Sequence, residues 1–364
     1  MKYSLDNICT FGKDKINVSS LTLENYISTE NMLPNKAGVT VASTLPTVTQ
    51  TQRYVRGDVL VSNIRPYFKK IWFADKDGGC SNDVLVFKSK ENIDKRYLYY
   101  VLANDEFFNY SMATSKGTKM PRGDKISIMA YEIEELDIET QQKIGSLLSS
   151  IDEKIALNEQ INKNLMEQAS VLYKAWFEDF ILFNGLCPPM WKQGILADIA
   201  NITSGKRPPV KSAVKTDTAV IPLVGAASVM GYTSEANHTD KILVTGRVGT
   251  HGVVQRFESP CWTSDNTLVI TSDVYEYTYQ ILQRIDYHSM NRGSTQPLIT
   301  QGDMNKVSVL IPDQETLNEY ETLVGQLMEQ YQANILENNK LAEMRDTLLP
   351  RLMSGELDVS ELDL

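Results

Sequence analysis

The chain has 364 residues, a hydrophobic content of 42%, a charged content of 23% and a net charge of −10 at pH 7. The length predicts more than one domain, and the composition is that of a globular protein. There is no apolar run near the ~20 residues of a membrane span, the N-terminus lacks the apolar core of a signal peptide, and the four cysteines are scattered. We therefore expect a cytoplasmic protein without a membrane anchor, a disulfide framework or a zinc site.

Residues 1–138 form the first predicted domain, which mixes short strands with some helix. Strand-forming residues fill 55–62, 71–74 and 84–87, and a Gly-rich turn separates the last two of these segments. Residues 97–110 are rich in helix formers and aromatic side chains, so we predict a helix there.

A long helix is predicted over residues 139–182, after the first domain. Its apolar positions recur at alternating steps of four and three, which is the a/d pattern of a coiled coil. The predicted seam comprises Ile144, Leu148, Ile151, Ile155, Asn158, Asn162, Leu165, Ala169, Leu172 and Trp176.

Residues 186–364 repeat this plan, with a second domain over 186–311 and a second helix and tail over 312–364. At an offset of 176, the loop 116–121 aligns with 292–297, and the two helices stay aligned to their ends. The matching seam comprises Tyr320, Val324, Leu327, Tyr331, Asn334, Asn338, Leu341, Arg345, Leu348 and Leu352. These patterns predict an α+β fold, with two similar mixed α/β domains separated by a pair of long antiparallel coiled-coil helices.

Two asparagines lie at successive seam positions near the middle of each helix. A seam asparagine lowers stability but fixes register, because a slipped pairing leaves its amide without a partner. In an antiparallel pair Asn158 would face Asn338 and Asn162 would face Asn334. We predict that these four residues set the helix register.

The negative charge is concentrated on the helices. Residues 1–137 hold 18 basic and 17 acidic side chains, and residues 186–310 hold 11 and 10, so each globular segment has a net charge of +1. The helical segments 138–185 and 311–364 carry −3 and −9. A basic face on each globular segment is therefore compatible with the overall charge, whereas the helices are poor candidates for contact with phosphates.

No catalytic motif is present. The sequence has no dinucleotide-binding or phosphate-binding glycine loop, no HExxH and no GxSxG, and its three histidines lack metal-ligand spacing. We predict no catalytic and no metal-binding residue in this chain.

Basic, hydroxyl-bearing and amide side chains cluster instead in turns of both globular segments. Lysine and arginine neutralise phosphates, glycine lets the backbone approach, and Asn, Gln and Arg hydrogen-bond base edges. A basic aromatic stretch at 63–70 adds to the first segment, and Arg256 adds a further cation to the second. The candidate DNA-binding residues are Asn63, Arg65, Lys69, Lys70, Lys116, Lys119, Arg122, Lys206, Arg207, Arg247, His251, Arg292, Ser294, Thr295 and Gln296.

Four segments together resemble the specificity (S) subunits of type I restriction-modification systems. They are 191–205 at the start of the second domain, 292–297, 172–180 closing the first helix, and 348–357 near the end. The first copy departs from the family pattern, because Lys119-Met120 stands where Thr-Gln is usual and its opening has no tryptophan.

The resemblance implies two target-recognition domains that each read one half of a split site in double-stranded DNA, in the major groove. The helices would set the spacer and dock two methyltransferase (M) subunits, and restriction (R) motor-nuclease subunits would join them. Methylation, ATP hydrolysis and cleavage would belong to these partners, so S-adenosylmethionine, ATP and Mg²⁺ would bind there and no cofactor would bind this chain.

Two other functions remain open at this point. One is a self-sufficient, two-headed enzyme that modifies or cleaves DNA, which turnover by the purified chain would reveal. The other is a two-headed module that binds proteins or glycans, which a steep fall of DNA affinity with salt would exclude.

Overall fold

The computed structural model describes residues 2–292 and 298–359. The chain divides into two compact units. The first unit contains Met1–Asn158 and Ile335–Leu364, and the second contains Glu159–Asn334. Each unit therefore includes one globular segment and a part of each long helix. Among the described helices, none combines the length and apolarity that crossing a membrane would need.

The first unit is built on a four-stranded antiparallel sheet in the order β2-β9-β6-β7 and a second sheet in the order β3-β5-β8-β4. Strands β1 and β10 form a separate antiparallel pair. The strands are Lys2–Ser4 (β1), Cys9–Phe11 (β2), Lys15–Asn17 (β3), Tyr26–Ile27 (β4), Gln50–Tyr54 (β5), Val59–Ser62 (β6), Ile71–Phe73 (β7), Gly78–Cys80 (β8), Val84–Ser89 (β9) and Glu132–Glu134 (β10). The helices are Leu5–Ile8 (α1), Lys95–Ala103 (α2), Asp105–Ala113 (α3), Lys125–Met129 (α4) and Ile138–Tyr173 (α5), the last of which continues into the second unit.

The strand predictions for this unit are confirmed, but the single helix predicted over 97–110 is wrong. The structure has two helices, α2 and α3, which are separated at Asn104. Asn104 has an extended backbone, and its side chain accepts a hydrogen bond from the Glu106 N–H. Asparagine favours such capping positions over helix interiors, because its side chain competes for backbone groups.

The second unit repeats the four-stranded sheet, in the order β12-β18-β15-β16, and the strand pair, β11-β19, whereas its second sheet is three-stranded in the described residues, in the order β14-β13-β17. The strands are Lys192–Ile195 (β11), Asn201–Ser204 (β12), Ile221–Val224 (β13), Val229–Thr233 (β14), Ile242–Gly246 (β15), Gln255–Phe257 (β16), Trp262–Thr263 (β17), Thr267–Thr271 (β18) and Ser308–Ile311 (β19). The helices are Tyr275–Arg284 (α6), Gln301–Asn305 (α7) and Gln314–Met353 (α8). The predicted repeat is thus a repeat of structure.

The two long helices, α5 and α8, run antiparallel within each unit. In the first unit Asp152 forms an ion pair of 2.8 Å with Arg345. In the second unit the Tyr320 hydroxyl donates to the Ala169 carbonyl at 3.4 Å. Residue numbers rise along one helix as they fall along the other, as predicted, and the seam buries Ile144, Leu148, Tyr320 and Val324 among others.

The end of α5 packs differently from the predicted seam. Tyr173 and Phe177 are buried, whereas Leu172 and Trp176 are only partly buried. The buried positions Ala169, Tyr173 and Phe177 follow at steps of four, and the chain continues from α5 into a π-helical turn over Lys174–Glu178. Phe177 packs on Tyr277 with ring centroids 4.7 Å apart, so the helix end becomes part of the core of the second unit. The corresponding end of α8, with Leu349 and Leu352, joins the core of the first unit.

The four seam asparagines face each other in the predicted pairs. Asn158 Nδ2 donates to Asn338 Oδ1 at 2.8 Å in the first unit, and Asn334 Nδ2 donates to Asn162 Oδ1 at 2.8 Å in the second. The remaining amides of Asn338 and Asn162 donate to the carbonyls of Ile155 and Tyr331, both at 3.3 Å. Residues 155 and 331 are related by the repeat offset, so the same network forms twice.

We predict that the two asparagines of a pair contribute to the unfolding free energy jointly, as residues that set the helix register would. The change Asn162→Leu leaves the buried Asn334 amide without its partner and should cost about 1–3 kcal/mol of unfolding free energy. The double change Asn162→Leu with Asn334→Leu should recover most of that loss, because no amide is then stranded. Urea unfolding of the full chain measures both. Additive losses in the double variant would contradict the coupling.

A helix N-terminus next to the α5/α8 pair is capped differently in the two units. In the first unit Asp94 caps α2, since its Oδ1 accepts from the Tyr97 N–H at 2.8 Å. Gly145 of α5 makes room for this carboxylate, because a Cβ there would lie 2.7 Å from the same oxygen. A carboxylate at this end of the helix also interacts favourably with the helix dipole.

In the second unit the helix pair itself supplies the cap. Val274 precedes α6 and cannot cap it. The Glu321 carboxylate of α8 accepts from the N–H groups of Glu276 at 3.0 Å and Tyr277 at 2.8 Å. Glu321 is 176 residues after Gly145 and occupies the equivalent position. The capping carboxylate therefore comes from Asp94, next to the capped helix, in the first unit and from the long helix α8 in the second.

Burial raises the pKa of Glu321 to about 7 from an ordinary value of 4.5, although the two backbone hydrogen bonds oppose this shift. The folded state therefore binds a proton more tightly than the unfolded state, so Glu321 supports stability fully below pH 4.5 and loses that support as the pH rises towards 7. We expect the stability of the wild type relative to Glu321→Gln to fall across this window. The change Glu319→Gln, at an exposed position of α8, is the control. A difference that does not vary between pH 4.5 and 7 would contradict the assignment.

Candidate nucleic-acid interface

In the first unit, two candidate loops are held together by backbone hydrogen bonds. The hairpin loop, 116–122, is closed by Lys116 N–H to Arg122 O and Arg122 N–H to Lys116 O, both at 2.9 Å. The strand-end loop, 63–70, follows β6, and its Asn63 carbonyl accepts from the Gly123 N–H at 3.2 Å. We call these two loops the loop pair of the first unit.

The second unit contains the frame of an equivalent loop pair, with Arg292 and Leu298 as the described ends of one loop and 247–253, after β15, as the other. The Arg292 N–H donates to Leu298 O at 3.1 Å, and the Ile299 N–H donates to Arg247 O at 3.0 Å. The first bond matches that from Lys116 to Arg122 at an offset of 176. The second matches that from Gly123 to Asn63, with an offset of 176 for the donor and 184 for the acceptor. Two segments that the sequence placed far apart therefore meet in each unit.

Backbone strain accompanies the strand-end loop of the first unit. Arg65 has φ 52° and Lys69 has φ 50°, in the left-handed region that side chains other than glycine rarely adopt. The loop also leaves Asn63 Oδ1 and Arg65 Nε buried without a hydrogen-bond partner among the described residues. Such strained and unsatisfied groups concentrate at functional sites.

Most predicted cations of the first unit are held by carboxylates or carbonyls of the same unit. Lys69 pairs with Asp105 at 2.7 Å, and Lys70 donates to the Thr29 carbonyl at 2.6 Å. Burial lowers the pKa of Lys70. Although burial opposes it, hydrogen bonds from Lys36 and Lys69 lower the pKa of Asp105.

The hairpin loop of the first unit contains both paired and unpaired cations. Lys116 pairs with Asp124 at 2.5 Å, and Arg122 pairs with Asp83 at 3.2 Å. Lys119 is exposed and forms no ion pair within the part of the chain that the structure describes.

In the second unit the candidates gather around the ends of β12 and β15. The Lys206 N–H donates to Thr263 O at 2.9 Å, and Trp262 Nε1 donates back to Lys206 O at 2.8 Å, which fixes the backbone but leaves the ammonium exposed. Arg207 is also exposed. His251 Nδ1 lies 3.2 Å from Gly246 O, and its Nε2 is buried without a partner among the described residues.

Arg292 forms an ion pair with Asp303, and its own side chain is 65% exposed. The other three candidates of this hairpin loop, Ser294, Thr295 and Gln296, lie outside the described residues.

Arg256 is not available for DNA contact, contrary to the sequence-based prediction. Its side chain is only 7% exposed. The guanidinium donates to both carboxylate oxygens of Glu276 at 2.5 and 2.7 Å, pairs with Glu258 at 3.1 Å, and lies 4.9 Å from the ring centres of Tyr275 and Tyr279. It is a structural residue of the second unit.

The cations were predictable from the sequence, but most of the carboxylates that form ion pairs with them were not. Asp124 was recognisable, because an Asp with a Ser three residues later is a helix N-cap pattern. Asp83 and Asp105 carry no local signal, because they reach their partners only through the fold. Asp83 also lines a polar groove of 440 Å³ beside the loop pair, formed by hydroxyl and amide side chains such as Ser28, Asn31 and Thr44.

The described residues include no group of three or more His, Cys, Asp or Glu side chains arranged to hold a metal ion. The loop pairs offer hydrogen-bond donors, cations and hydroxyls, which suit binding to an anionic polymer with polar edges.

Comparisons with known sequences point to one protein family. The model of the type I restriction modification DNA specificity domain matches the chain twice, at residues 2–167 and 188–345. The chain is 23% identical to the type I restriction enzyme HindI specificity subunit of Haemophilus influenzae, over 98% of the chain and 99% of that protein. It is 26% identical to the MjaIX specificity subunit of Methanocaldococcus jannaschii, over 75% of the chain and 71% of that protein.

A solved structure shares the fold. The crystal structure of the S subunit of a type I restriction-modification system from M. genitalium superposes with a TM-score of 0.64. The alignment covers 99% of this chain and 96% of that chain, at 17% identity.

Proposed function

Because the chain belongs to the family of type I restriction-modification DNA specificity proteins, we propose that it is the DNA-recognition subunit of such a complex and that each unit reads one half of a bipartite site in the major groove. The observation that carries this proposal is the duplicated loop pair. The two copies share the backbone hydrogen bonds at Lys116 and Arg292 and at Gly123 and Ile299, and their loops differ in sequence, which suits two half-sites of different sequence.

The electrostatics favour binding as part of an assembly. Several cations of the loop pairs are neutralised by carboxylates, and each globular segment has a net charge of only +1. Sequence-independent affinity for DNA rises with the number of phosphates that cations neutralise. The isolated chain should therefore bind DNA weakly, and its partners should supply further cationic surface.

The long helices would act as the spacer between half-sites and as the docking surface for two methyltransferase subunits, with the motor-nuclease subunits joining them. At about 1.5 Å per residue, a helix of 36 residues spans roughly 54 Å. Half-sites one turn apart on DNA are separated by about 34 Å, which is within that reach.

The chemistry would belong to the partners. S-adenosylmethionine, ATP and Mg²⁺ would be bound by them, and this chain would be a non-catalytic recognition subunit. If the purified chain methylated or cleaved DNA by itself in the presence of S-adenosylmethionine and Mg²⁺, it would be a self-sufficient enzyme instead.

The test is to map methylated bases in cells that express the chain with its methyltransferase subunits. We expect one motif made of two short constant parts around a spacer of fixed length and variable sequence. Omission of this chain should abolish the pattern. A continuous motif, or methylation that persists without the chain, would overturn the proposal.

A further inference from the structure

The first cation of each hairpin loop is paired in the same way in both units. Lys116 and Arg292 occupy equivalent positions, and each binds a carboxylate of the short helix that follows, α4 in the first unit and α7 in the second. The cations are exposed, at 81% and 65%, whereas their carboxylate partners Asp124 and Asp303 are only 16% and 11% exposed.

The two carboxylates are not equivalent residues. In the first unit Asp124 is the N-cap of α4, and Ser127 is the third residue of the helix. In the second unit the N-cap of α7 is Thr300, and Asp303 is the third residue. At the offset of 176, the carboxylate and the hydroxyl have exchanged places between the copies.

The exchange preserves both the cap and the ion pair. Asp124 Oδ1 accepts from the Ser127 N–H at 3.0 Å and from its hydroxyl at 3.1 Å. In the second unit the Thr300 hydroxyl donates to Asp303 Oδ2 at 2.6 Å. A helix cap alone requires no cation, so the retention of the pair through this exchange points to a function for the pair itself.

We propose that Lys116 and Arg292 are positioning residues, which fix the hairpin loop to the following helix and neutralise a carboxylate facing the DNA, and that Lys119 makes the phosphate contact in the first unit. This inference rests on the proposed function. A carboxylate left unpaired beside the loop would repel the phosphate backbone, and an ammonium already paired with it releases few counterions on binding DNA.

The acid–base properties support a permanent pair. The hydrogen bond from Lys116, followed by that from the Ser127 N–H, lowers the pKa of Asp124 to about 2. A hydrogen bond from Thr300 is the largest cause of the lowered pKa of Asp303. Both carboxylates thus stay charged at neutral pH. Lys119 lies at the tip of the same loop without an ion-pair partner among the described residues.

The experiment compares Lys116→Ala with Lys119→Ala in the assembled methyltransferase complex. Affinity for the cognate duplex is measured between 50 and 200 mM salt, an interval over which each phosphate contact contributes about 0.9 to the slope of log K against log salt. Affinity is also measured for duplexes mutated in either half-motif.

For Lys119→Ala we expect the slope to fall by about 0.9 with unchanged discrimination between duplexes. For Lys116→Ala we expect a loss of about tenfold in discrimination at one half-motif, comparable to one lost base-pair contact, in addition to any change in slope that the unpaired Asp124 carboxylate causes. The variant Lys116→Arg should restore discrimination.

Two further variants distinguish loss of the ion pair from misfolding of the loop. The double change Asp124→Thr with Ser127→Asp transplants the cap of the second unit and should keep wild-type discrimination, whereas Asp124→Thr alone should lose it. A reduced slope in Lys116→Ala with intact discrimination, or no effect on either quantity, would overturn the inference. A wild-type complex that fails to discriminate either half-motif would overturn the proposed function instead.

Discussion

Replacing Arg256 by alanine should lower the free energy of unfolding of the second unit by about 3–5 kcal/mol, because the change strands buried charge. Glu276 is buried and loses its cationic partner, and Glu258, which is nearly buried, keeps only its ion pair with Lys241. The aromatic faces of Tyr275 and Tyr279 lose the guanidinium that packs on them. Urea unfolding of the full chain, followed by tryptophan fluorescence and by hydrogen exchange of the second unit, measures the loss.

The first unit indicates the matching control. Phe73 pairs with Val59 in the first unit, and Arg256 pairs with Leu243 in the second. Val59 and Leu243 are equivalent at the offset of 184, so Phe73 occupies the position of Arg256. Phe73 packs edge-on to Tyr99 with ring centroids 5.8 Å apart, so an apolar side chain takes the place of the guanidinium there. The double change Arg256→Met with Glu276→Met should therefore be much less destabilising than Arg256→Ala, since apolar groups can replace a buried pair. Equal losses in the two variants would show that packing, not stranded charge, sets the cost.

Shortening both helices by one heptad should change the spacer of the DNA target and leave both half-motifs intact. Deleting 159–165 from α5 and 331–337 from α8 preserves the seam and the Asn158–Asn338 pair. Helices α5 and α8 each shorten by roughly 10 Å, which is the length of about three base pairs of DNA. Each base pair removed from the spacer also rotates one half-site relative to the other by about 35° around the duplex axis. The preferred spacer should therefore shorten by no more than about three base pairs.

Methylation mapping of cells that express the shortened chain with its partners measures the new spacer. The matched control deletes the same number of residues from α5 alone, which misaligns the seam and should abolish assembly. Altered half-motifs with an unchanged spacer would contradict the role of the helices as a spacer.

The sequence was sufficient to predict the long helices and their pairing. Their seam has a regular period, and its asparagines allow only one alignment, so Asn158 meets Asn338 and Asn162 meets Asn334. The prediction failed at the end of α5, where Phe177 instead of Trp176 is buried. A π-helical turn there has no periodic signature, and the aromatic core of the second unit determines which side chain faces inward.

The candidate interface was less predictable, because charge alone does not reveal pairing. Arg247 and Arg256 look alike in sequence, but Arg256 lies on β16 facing α6, where Glu276 and Tyr279 enclose it. Asp83 and Arg122 are far apart in sequence and meet only because the strand-end and hairpin loops are joined by backbone hydrogen bonds. Long-range contacts of this kind depend on the sheet, which no local motif specifies.

Changing the loop pair of one unit and mapping methylation in cells tests most directly whether each unit reads its own half-site. The double change Arg247→Ala with His251→Ala alters only the second unit, and Lys306→Ala at its exposed surface is the control. We expect that one half-motif is relaxed or lost while the other half-motif and the spacer stay unchanged. Relaxation of both half-motifs together, or of neither, would contradict the claim that each unit reads its own half of the site.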